Sequence, residues 1–583
     1  LARTTAVEAG PGTGKTRTLV ERILYMIQEQ RISPAEITAV TFTNRAAGEM
    51  EKRIHSRLPG KRGLKRMKIG TFHSICYRML KETGLKAVLL QESEQLEIAE
   101  EVICELGLKQ KPSQLLEEIS RQKTGERVVC EDGADGLEQA CRRYQERLEE
   151  LNGMDYDDIL LKAVKALEEG KMDEKPFRYL LVDEFQDVSS LQYRLIRLMN
   201  RRGRQLFVIG DPDQSIYGFR GSDSRIFERL SRDEPELCRI RLEENYRSSG
   251  HIVHAARELI RHNPGPERGL WTRKEAGTPL RLVSAASEMS EAIFAAKEIN
   301  RMVGGIDMLD AQEGFGPSEE KKTRSFGDIA VIYRTHRQGE LLERCLCQEG
   351  IPYIVAGREE FLQADSVRGS LSFFSCLAGE ESQLTRPLCR KLLWKDREPE
   401  DGEWEQLTAE FLPLYQKQKP GKFLEAWVRR MGFQEDGPME KFCSMAPFYR
   451  TMKEMAEAVR YGGESDLKRC GQKTYASDAV TLTTIHGAKG LEFPAVILFG
   501  ARKGLIPLET KRGETDEEEE RRLFFVGVTR AMEELVITSS KEPSVFLAEL
   551  PKEDRLSEQT GRREKKGQEH QMSLFELDPS FGK

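Results

Sequence analysis

The residues best suited to chemistry stand near the start of the chain, where positions 9–16 read A-G-P-G-T-G-K-T. Closely spaced glycines let a backbone turn tightly, so that successive N–H groups point at one anion. In such a loop Lys15 reaches the β- and γ-phosphates of a nucleotide and the Thr16 hydroxyl holds Mg²⁺. The pattern predicts a phosphate-binding loop, whose members are Ala9, Gly10, Pro11, Gly12, Thr13, Gly14, Lys15 and Thr16.

The first position of this loop departs from the strict pattern, because Ala9 stands where glycine is usual. A glycine-rich structural loop without a ligand is the alternative interpretation. The surrounding elements favour the phosphate site, since a β-branched run precedes the loop and a helical pattern follows it. The partial positive charge at the start of that helix would stabilise a bound phosphate.

Two carboxylates end a second apolar run, in which residues 179–182 are followed by Asp183 and Glu184. A buried strand that ends in two acids can deliver one to Mg²⁺ and the other to the attacking water of phosphoryl transfer. A helix cap is the alternative for carboxylates at a strand end. The pair therefore predicts the second half of a phosphate site.

The elements that must position these groups alternate between strand and helix patterns. Short apolar runs break at 41–44 and at 71–74, and each leads into a helical pattern. Ligands of α/β sheets bind at the carboxyl ends of parallel strands, so both loops are candidate binding edges. Residues 81–173 and 377–474 read as helices with little strand signal, which indicates two helical insertions into two α/β units.

Composition is typical of a large multidomain protein. The 583 residues exceed one core, since a domain holds roughly 100 to 200 residues. Charged residues make up 32%, no apolar run approaches about 18 residues and no secretion signal opens the chain, so we expect neither a membrane segment nor export. Eleven scattered cysteines indicate reduced thiols in the cytoplasm.

Charge gives a mixed indication about nucleic acid. A net charge of −6 argues against a protein that coats nucleic acid. Residues 52–68, in contrast, hold eight Lys or Arg and no acid. This stretch predicts either one basic patch or a solvated loop.

Further motifs follow in a fixed order. G-D-P-D-Q-S-I-Y occupies 210–217, N-Y-R-S occupies 245–248, H-G-A-K-G-L-E occupies 486–492 and T-R-A occupies 529–531. Together with the phosphate loop and the paired acids, this series resembles the superfamily 1A DNA helicases, the UvrD, PcrA and Rep group. The resemblance runs to about residue 550. It implies an α/β fold of two RecA-like P-loop domains with parallel sheets, each with a helical insertion.

The resemblance implies that ATP binds between the two domains and that hydrolysis closes and opens them. It assigns Mg²⁺ to Thr16 and Asp183, and the attacking water to Glu184. It also gives Arg530 the role of an arginine finger from the second domain, worth about 10³ to 10⁵ in turnover. The catalytic residues that it implies are Lys15, Asp183, Glu184, Gln214, Arg247 and Arg530.

The same resemblance implies how the rest of the nucleotide is held. Arg17 and Tyr246 would flank adenine, and Glu492 would contact the ribose. Without the family, a tyrosine in the position of Tyr246 is more typical of a core than of a ligand contact.

Single-stranded DNA would cross both domains, with bases stacked on aromatic side chains at about 1–3 kcal/mol each. Family members usually place Trp where Phe219 stands, so weaker stacking is expected there. The resemblance implies 3′-to-5′ movement with unwinding, in DNA repair or replication, on single-stranded and junction DNA. The candidate DNA contacts are Phe42, Thr43, Asn44, Phe72, His73, Tyr217, Phe219, Arg220 and His486.

The chain is expected to divide into five parts. Residues 1–80 and 174–243 form the first RecA-like domain, and 81–173 form its insertion. Residues 244–376 and 475–548 form the second RecA-like domain, with the insertion 377–474. Residues 549–583 are expected to be a disordered tail, because they are rich in Lys, Glu, Gln and Gly.

One apolar island interrupts the tail and resembles the Q-x-x-L-F peptide by which bacterial replication and repair proteins bind the sliding clamp. A fortuitous apolar cluster is the alternative. The peptide consists of Gln571, Met572, Ser573, Leu574 and Phe575.

Two departures from the family pattern shape the functional expectation. The chain begins after the position of an upstream glutamine motif that would select adenine, so a fragment is expected. The second insertion has no R-G-I-G duplex-binding signature, which favours translocation over strand separation. A single-strand translocase that displaces proteins is therefore the main alternative. An adaptor with a degenerate ATP site and a nuclease fusion are disfavoured, and a monomer or weak dimer is expected.

Overall fold

The computed structural model describes residues 3–61, 63–124, 134–265, 269–304, 323–395, 397, 402–463, 466–471, 477–509 and 515–560. The predicted clamp-binding peptide at 571–575 lies outside these residues. Within the described ranges, no helix combines the length and the apolarity that a membrane span requires.

The first α/β domain begins with alternating strands and helices. They are β1 (Thr4–Ala9), α1 (Lys15–Gln28), β2 (Ile37–Val40), α2 (Asn44–Arg57), β3 (Lys68–Gly70) and α3 (Phe72–Glu82). A mainly helical insertion follows, with two short strands that pair in parallel. It comprises β4 (Val88–Leu89), α4 (Glu92–Leu106), α5 (Pro112–Thr124), α6 (Ala134–Glu150), β5 (Gly153–Met154) and α7 (Tyr156–Glu168).

The chain then returns to the first sheet. The returning elements are β6 (Tyr179–Val182), α8 (Ser190–Met199), β7 (Gln205–Gly210), α9 (Ile226–Asp233) and β8 (Cys238–Leu242). The strand order is β3-β2-β6-β7-β1-β8, and every pairing is parallel. Strands β2, β6 and β7 are almost continuously apolar because helices cover both faces of the sheet. Their carboxyl ends therefore form one shared edge.

The second α/β domain has the same alternation. It opens with α10 (Gly250–Ile260), β9 (Leu280–Ala285), α11 (Glu288–Met302), β10 (Ile329–Tyr333), α12 (His336–Gln348) and β11 (Tyr353–Ala356). The second insertion comprises α13 (Asp365–Leu377), α14 (Thr385–Leu393), α15 (Glu403–Lys417), α16 (Pro420–Met431), α17 (Gly437–Cys443) and α18 (Met452–Tyr461). Its core is aromatic, with Phe373 stacked on Trp427 at a centroid distance of 4.9 Å.

The second insertion ends in β12 (Lys468–Cys470), which runs antiparallel to β11. The sheet continues through β13 (Val480–Thr484), β14 (Phe493–Phe499), α19 (Glu517–Val528), β15 (Ala531–Ser540) and β16 (Arg555–Gln559). Its strand order is β12-β11-β13-β10-β14-β15-β9-β16, and all pairings other than β11 with β12 are parallel.

Two details differ from the sequence interpretation. From the sequence, residues 521–531 are predicted to be helical, but α19 ends at Val528 because the β-branched run that follows Ala531 enters the sheet as β15. Strand β16 lies beyond 548, in residues expected to be tail. Arg281 of β9 holds it with a two-pronged contact to Glu558, in which Nε and Nη2 donate at 2.7 and 2.9 Å.

Candidate functional site

The phosphate loop joins β1 to α1 at the carboxyl edge of the first sheet. Gly14 stands before the helix with φ 87°, and α1 has neither a side-chain cap nor an acidic residue in its first turn. The first N–H groups of α1 thus remain available to an anion. Gly12 has φ 68°, and a Cβ there would lie 2.7 Å from both Arg247 Cβ and Asn245 Nδ2. Only glycine fits this position.

Lys15 folds back over the loop that precedes it. Its Nζ donates to the carbonyl oxygens of Ala9 at 3.2 Å and Gly10 at 3.3 Å. The same nitrogen lies 4.0 Å from Asp211 Oδ2. The loop therefore holds a positive charge at its centre, where phosphates would lie.

Asp183 and Glu184 follow β6 directly, and a backbone turn separates their side chains. Glu184 has φ 47°, and its N–H donates to Asp183 Oδ1 at 3.0 Å. Burial, with the neighbouring Glu184 charge, raises the pKa of Asp183. Burial acts in the same direction on Glu184, but the charges of Lys15 and Lys489 outweigh it and hold the pKa of Glu184 below its ordinary value. Glu184 is thus an ionised carboxylate that can accept from water.

The donor set at Asp183 and Thr16 fits a divalent cation. Asp183 is 7% exposed, and among the described residues no lysine or arginine forms an ion pair with it. Thr16 supplies a hydroxyl in the first turn of α1. Carboxylate and hydroxyl oxygens are the hard ligands that Mg²⁺ prefers. The buried carboxylate of Asp183 and the hydroxyl of Thr16 are therefore the types of ligand that a magnesium site requires.

Gln214 connects the two α/β domains. Its Nε2 donates to Asp211 Oδ2 at 2.5 Å, and its Oε1 accepts from Arg530 Nη2 at 3.3 Å. Arg530 is 1% exposed and also donates through Nε to Val526 O at 2.9 Å. Burial and the nearby Arg247 lower the pKa of Arg530, although an arginine stays protonated at neutral pH. A buried cation of the second domain is therefore fixed at the phosphate site of the first.

The segment that follows β8 is hydrogen-bonded to the phosphate loop. Asn245 Nδ2 donates to Pro11 O at 2.7 Å, and the N–H of Tyr246 donates to Gly12 O at 2.9 Å. Arg247 Nε donates to Glu492 Oε2 at 2.6 Å. The family resemblance implies a catalytic role for Arg247 and a ribose contact for Glu492, whereas here the two side chains pair with each other.

Tyr246 is 62% exposed, so it does not occupy the core position that a tyrosine here would suggest without the family resemblance. Its hydroxyl donates to Glu244 Oε2 at 2.9 Å. Arg17 is exposed at the start of α1 and lies close enough to act electrostatically on the phenol. Both side chains thus offer surfaces on the same side of the phosphate loop.

An aromatic cluster spans the two domains at the carboxyl ends of their strands. Phe42 and Tyr217 stack with a centroid distance of 5.4 Å and an interplanar angle of 13°. Phe219 lies 6.0 Å from Tyr217 and 5.4 Å from His486 of the second domain. Phe219 is 52% exposed, whereas Tyr217 is 8% exposed. Phe219 is therefore the more exposed ring of this pair, and Tyr217 is buried next to it.

The other candidate DNA contacts are less uniform. Thr43 caps α2, because its hydroxyl accepts from Ala46 N–H at 3.1 Å, and Asn44 is exposed beside it. His73 lies 4.4 Å from the Tyr156 ring, and desolvation lowers its pKa to about 4, so it is neutral at physiological pH. The side chain of Arg220 lies outside the described residues.

The assignment of Phe72 to DNA is wrong in this structure. Phe72 is 5% exposed and packs into the core of the first domain with Ile75, Cys76 and Met79 of α3. A buried ring offers no face to a base. The signal was present in the sequence, since residues 72, 75, 76, 79 and 80 have helical apolar spacing.

Three further residues belong to this site and were not selected from the sequence. Asn245 fixes the phosphate loop, and Gln186 Nε2 donates to Glu184 Oε2 at 2.7 Å. Lys489 Nζ donates to Asp187 and to Gln214 O at 2.7 Å. Each lies within three residues of a residue that was selected from the sequence, so its position in the chain already indicated the site.

Comparisons with known proteins agree with this geometry. The family model of the UvrD/REP helicase N-terminal domain matches residues 1–235, and that of the UvrD-like helicase C-terminal domain matches 240–395 and 436–542. The ATP-dependent DNA helicase PcrA of Staphylococcus epidermidis is 28% identical, covering 96% of this chain and 85% of its own length. PcrA of Staphylococcus aureus is 27% identical, covering 96% and 86%.

A solved structure, the C-terminal domain of a possible DNA helicase from Lactobacillus, covers 54% of this chain and 98% of its own at 14% identity, with a TM-score of 0.23. That likeness is too low to carry an argument. The matched family models span most of both α/β domains, and the phosphate loop, the paired acids and Arg530 all lie within them. The chain belongs to the UvrD/PcrA-like superfamily 1A of ATP-dependent DNA helicases.

Proposed function

We propose that this chain hydrolyses ATP to move 3′ to 5′ along single-stranded DNA and to unwind duplex DNA during repair or replication. The observation that carries the proposal is the hydrogen bond between Arg530 of the second domain and Gln214 of the first. Separation of the two domains would break this hydrogen bond and withdraw the cation from the phosphate loop. Turnover would then be tied to domain closure, which is what a stepping motor requires.

The nucleotide roles follow from the side chains already described. Lys15 would bind the phosphates, and Thr16 and Asp183 would hold Mg²⁺, which supplies charge neutralisation when bound. Glu184 would orient the attacking water through its ionised carboxylate. Arg17, Tyr246 and Glu492 would hold adenine and ribose, with Glu492 exchanging its contact with Arg247 for the sugar.

The DNA path would follow the aromatic cluster across both domains. Phe219 supports this proposal best, because its exposed ring lies between Tyr217 of the first domain and His486 of the second. A base stacked on Phe219 would contact both domains. Opening and closing of the nucleotide site would then change the spacing of successive stacking positions.

Translocation without processive unwinding is the second candidate function. The second insertion lacks the R-G-I-G sequence, and its polar side chains contact the first insertion. Thr385 Oγ1 donates to Glu94 Oε1 at 3.1 Å, and Lys391 Nζ donates to Glu97 Oε1 at 3.0 Å. These hydrogen bonds join the two insertions to each other. A forked duplex compared with a protein-blocked single strand separates the two functions.

The central test is ATP turnover with and without oligo-dT. We expect stimulation by single-stranded DNA, abolished in Lys15→Ala and Glu184→Gln, since these remove phosphate binding and water orientation. Chelation of Mg²⁺ is expected to stop turnover and its return to restore it. ATP turnover that is not stimulated by single-stranded DNA would refute the proposed motor function. Unwinding of duplexes with a 3′ or a 5′ overhang then decides polarity.

Partners beyond DNA are also proposed. The tail peptide at 571–575 would bind the sliding clamp, and Phe575→Ala should abolish clamp binding while leaving DNA-stimulated ATP turnover intact. Clamp binding that survives this change would refute the assignment. The bacterial relatives support a cytoplasmic location. Association with the nucleoid and a monomeric or weakly dimeric state are further parts of the proposal. Sedimentation with and without DNA tests the oligomeric state.

A further inference from the structure

Lys489 of the second α/β domain lies buried against two loops of the first. Its Nζ lies 2.7 and 2.5 Å from the two carboxylate oxygens of Asp187 and 2.7 Å from the carbonyl oxygen of Gln214. A lysine ammonium has three N–H donors, so these contacts use its whole donor capacity. The side chain of Lys489 is 8% exposed and that of Asp187 is 0% exposed. This is a complete, buried ion pair between the domains.

One amide connects Asp187 to the water-orienting carboxylate. Gln186 Nε2 donates to Glu184 Oε2 at 2.7 Å and to Asp187 Oδ2 at 3.1 Å. Gln186 Oε1 accepts from the N–H of Asp211 at 2.9 Å. A Cβ on Gly210 would lie 2.3 Å from that oxygen, so the end of β7 is packed closely against the amide. The amide of Gln186 therefore joins the carboxylates of Asp187 and Glu184 through hydrogen bonds.

Lys489 also reaches the DNA path. Its Nζ lies 4.7 Å from the centroid of the Tyr217 ring, where a cation is attracted by the aromatic face. Tyr217 in turn supports Phe219 and stacks on Phe42. A base stacked on this cluster would therefore contact rings that pack against Tyr217, whose face lies next to Lys489.

The loop that carries Gln214 also forms other hydrogen bonds to the second domain. Arg522 Nε donates to Ser215 O at 2.9 Å, and the N–H of Gly218 donates to Glu519 Oε1 at 3.1 Å. Lys489 differs from these contacts, since it alone among them also binds the loop that carries Glu184. Its positive charge is one of those that keep the pKa of Glu184 low.

We propose that Lys489 is a positioning residue that couples occupancy of the DNA path to water activation, through Asp187 and Gln186. This inference rests on the proposed function. While the two domains are in contact, Lys489 fixes the positions of Asp187 and Tyr217. Gln186, which is bonded to Asp187, then holds the Glu184 carboxylate in the orientation that water activation requires. When the domains separate, its three hydrogen bonds break together and Asp187 loses its cation, so Glu184 loses its alignment.

The test compares ATP turnover with and without oligo-dT in Lys489→Met, which keeps the length of the side chain and removes its donors. We expect the DNA-stimulated turnover to fall about 100-fold, the loss typical of a catalytic group displaced by about 1 Å. The ratio of stimulated to unstimulated turnover is the decisive readout, and it should fall towards 1. Lys489→Arg should restore part of the ratio, because it keeps the charge.

Two further variants isolate the contact. Lys503→Met is the matched control, because Lys503 is a 53% exposed lysine of the same domain that pairs with Glu542 at 3.1 Å, and it should behave as wild type. Asp187→Asn should reproduce the loss. The double variant Lys489→Met with Asp187→Asn should be no worse than the worse single one, since both remove the same link.

Each outcome is decisive. A wild-type protein without DNA stimulation overturns the proposed function itself. Wild-type stimulation with an unchanged ratio in Lys489→Met overturns only the coupling role. Equal falls in stimulated and unstimulated turnover also overturn it, because they indicate a general structural defect. Circular dichroism establishes folding, and if Lys489→Met does not fold, the ratio in Asp187→Asn decides.

Discussion

Truncation of Phe219 is expected to weaken single-stranded DNA binding with little effect on the fold. Its side chain is 52% exposed and makes an edge-on contact with His486 at 5.4 Å and 88°. Such a contact contributes about 0.5–1.5 kcal/mol to folding. A base stacked on the exposed face contributes about 1–3 kcal/mol, and about 1.4 kcal/mol is a tenfold change in affinity. Phe219→Ala should therefore raise the Kd for oligo-dT by about 5- to 150-fold.

Fluorescence anisotropy of labelled oligo-dT at fixed salt measures this change, because phosphate contacts make affinity salt-dependent. Tyr25→Ala is the control, since Tyr25 is a 46% exposed aromatic on α1 of the same domain, away from the cluster. Phe219→Trp should bind more tightly, because an indole offers a larger face. A folded Phe219→Ala protein with wild-type affinity would refute the path over this ring, and an equal loss in Tyr25→Ala would show that the effect is not local.

Three further outcomes are expected. Phe72→Ala should lower the free energy of unfolding by about 3–5 kcal/mol in denaturant titration, because the ring is in the core, and a loss of DNA affinity at unchanged stability would contradict this. Gly12→Ala adds a side chain at φ 68° within 2.7 Å of Arg247, so nucleotide affinity should fall at least about tenfold, whereas Gly84→Ala, which is strained but unobstructed, should not change it. Because the pKa of Glu184 is below its ordinary value of about 4.3, the carboxylate stays ionised above that pH and its stabilising contribution is lost only as the pH falls through the lowered pKa. Glu184 should thus contribute no acid limb to DNA-stimulated kcat between about pH 6 and 8. A limb in this range is expected from Asp183, because burial raises its pKa to about 7, and it should move to lower pH as the Mg²⁺ concentration rises. A limb that Mg²⁺ does not move would contradict the assignment.

Local chemistry was predictable where one short segment carries both the element and the side chain. Lys15 lies at the start of the helix that its own glycine loop leads into, and Asp183 and Glu184 follow their own buried strand. Such residues need no knowledge of the rest of the chain. Arg530 and Gln214 depended on the family resemblance, because 316 residues separate them in the chain.

Contacts created by domain docking could not be predicted in the same way. Lys489 and Asp187 are 302 positions apart, so their pairing depends on how the two domains meet. Strand β16 is a charged, polar segment with little strand propensity, and pairing with β9 through Arg281 makes it a strand. The assignment of Phe72 to DNA is wrong for another reason. Its position just after a strand suggests a ligand contact, whereas the helical apolar spacing of α3 indicates a core position.

The antiparallel pairing of β11 with β12 makes the second insertion topologically simple. Ala356 is paired with Lys468, and the N–H of Gly357 donates to Leu467 O at 3.0 Å. Residues 358–466 are in effect the loop of a single β-hairpin, whose two ends are already joined by hydrogen bonds. A tight turn in place of that loop would leave the register of the whole sheet unchanged. We therefore expect that the second insertion can be exchanged, shortened or lost while the second α/β domain keeps its strand pairing.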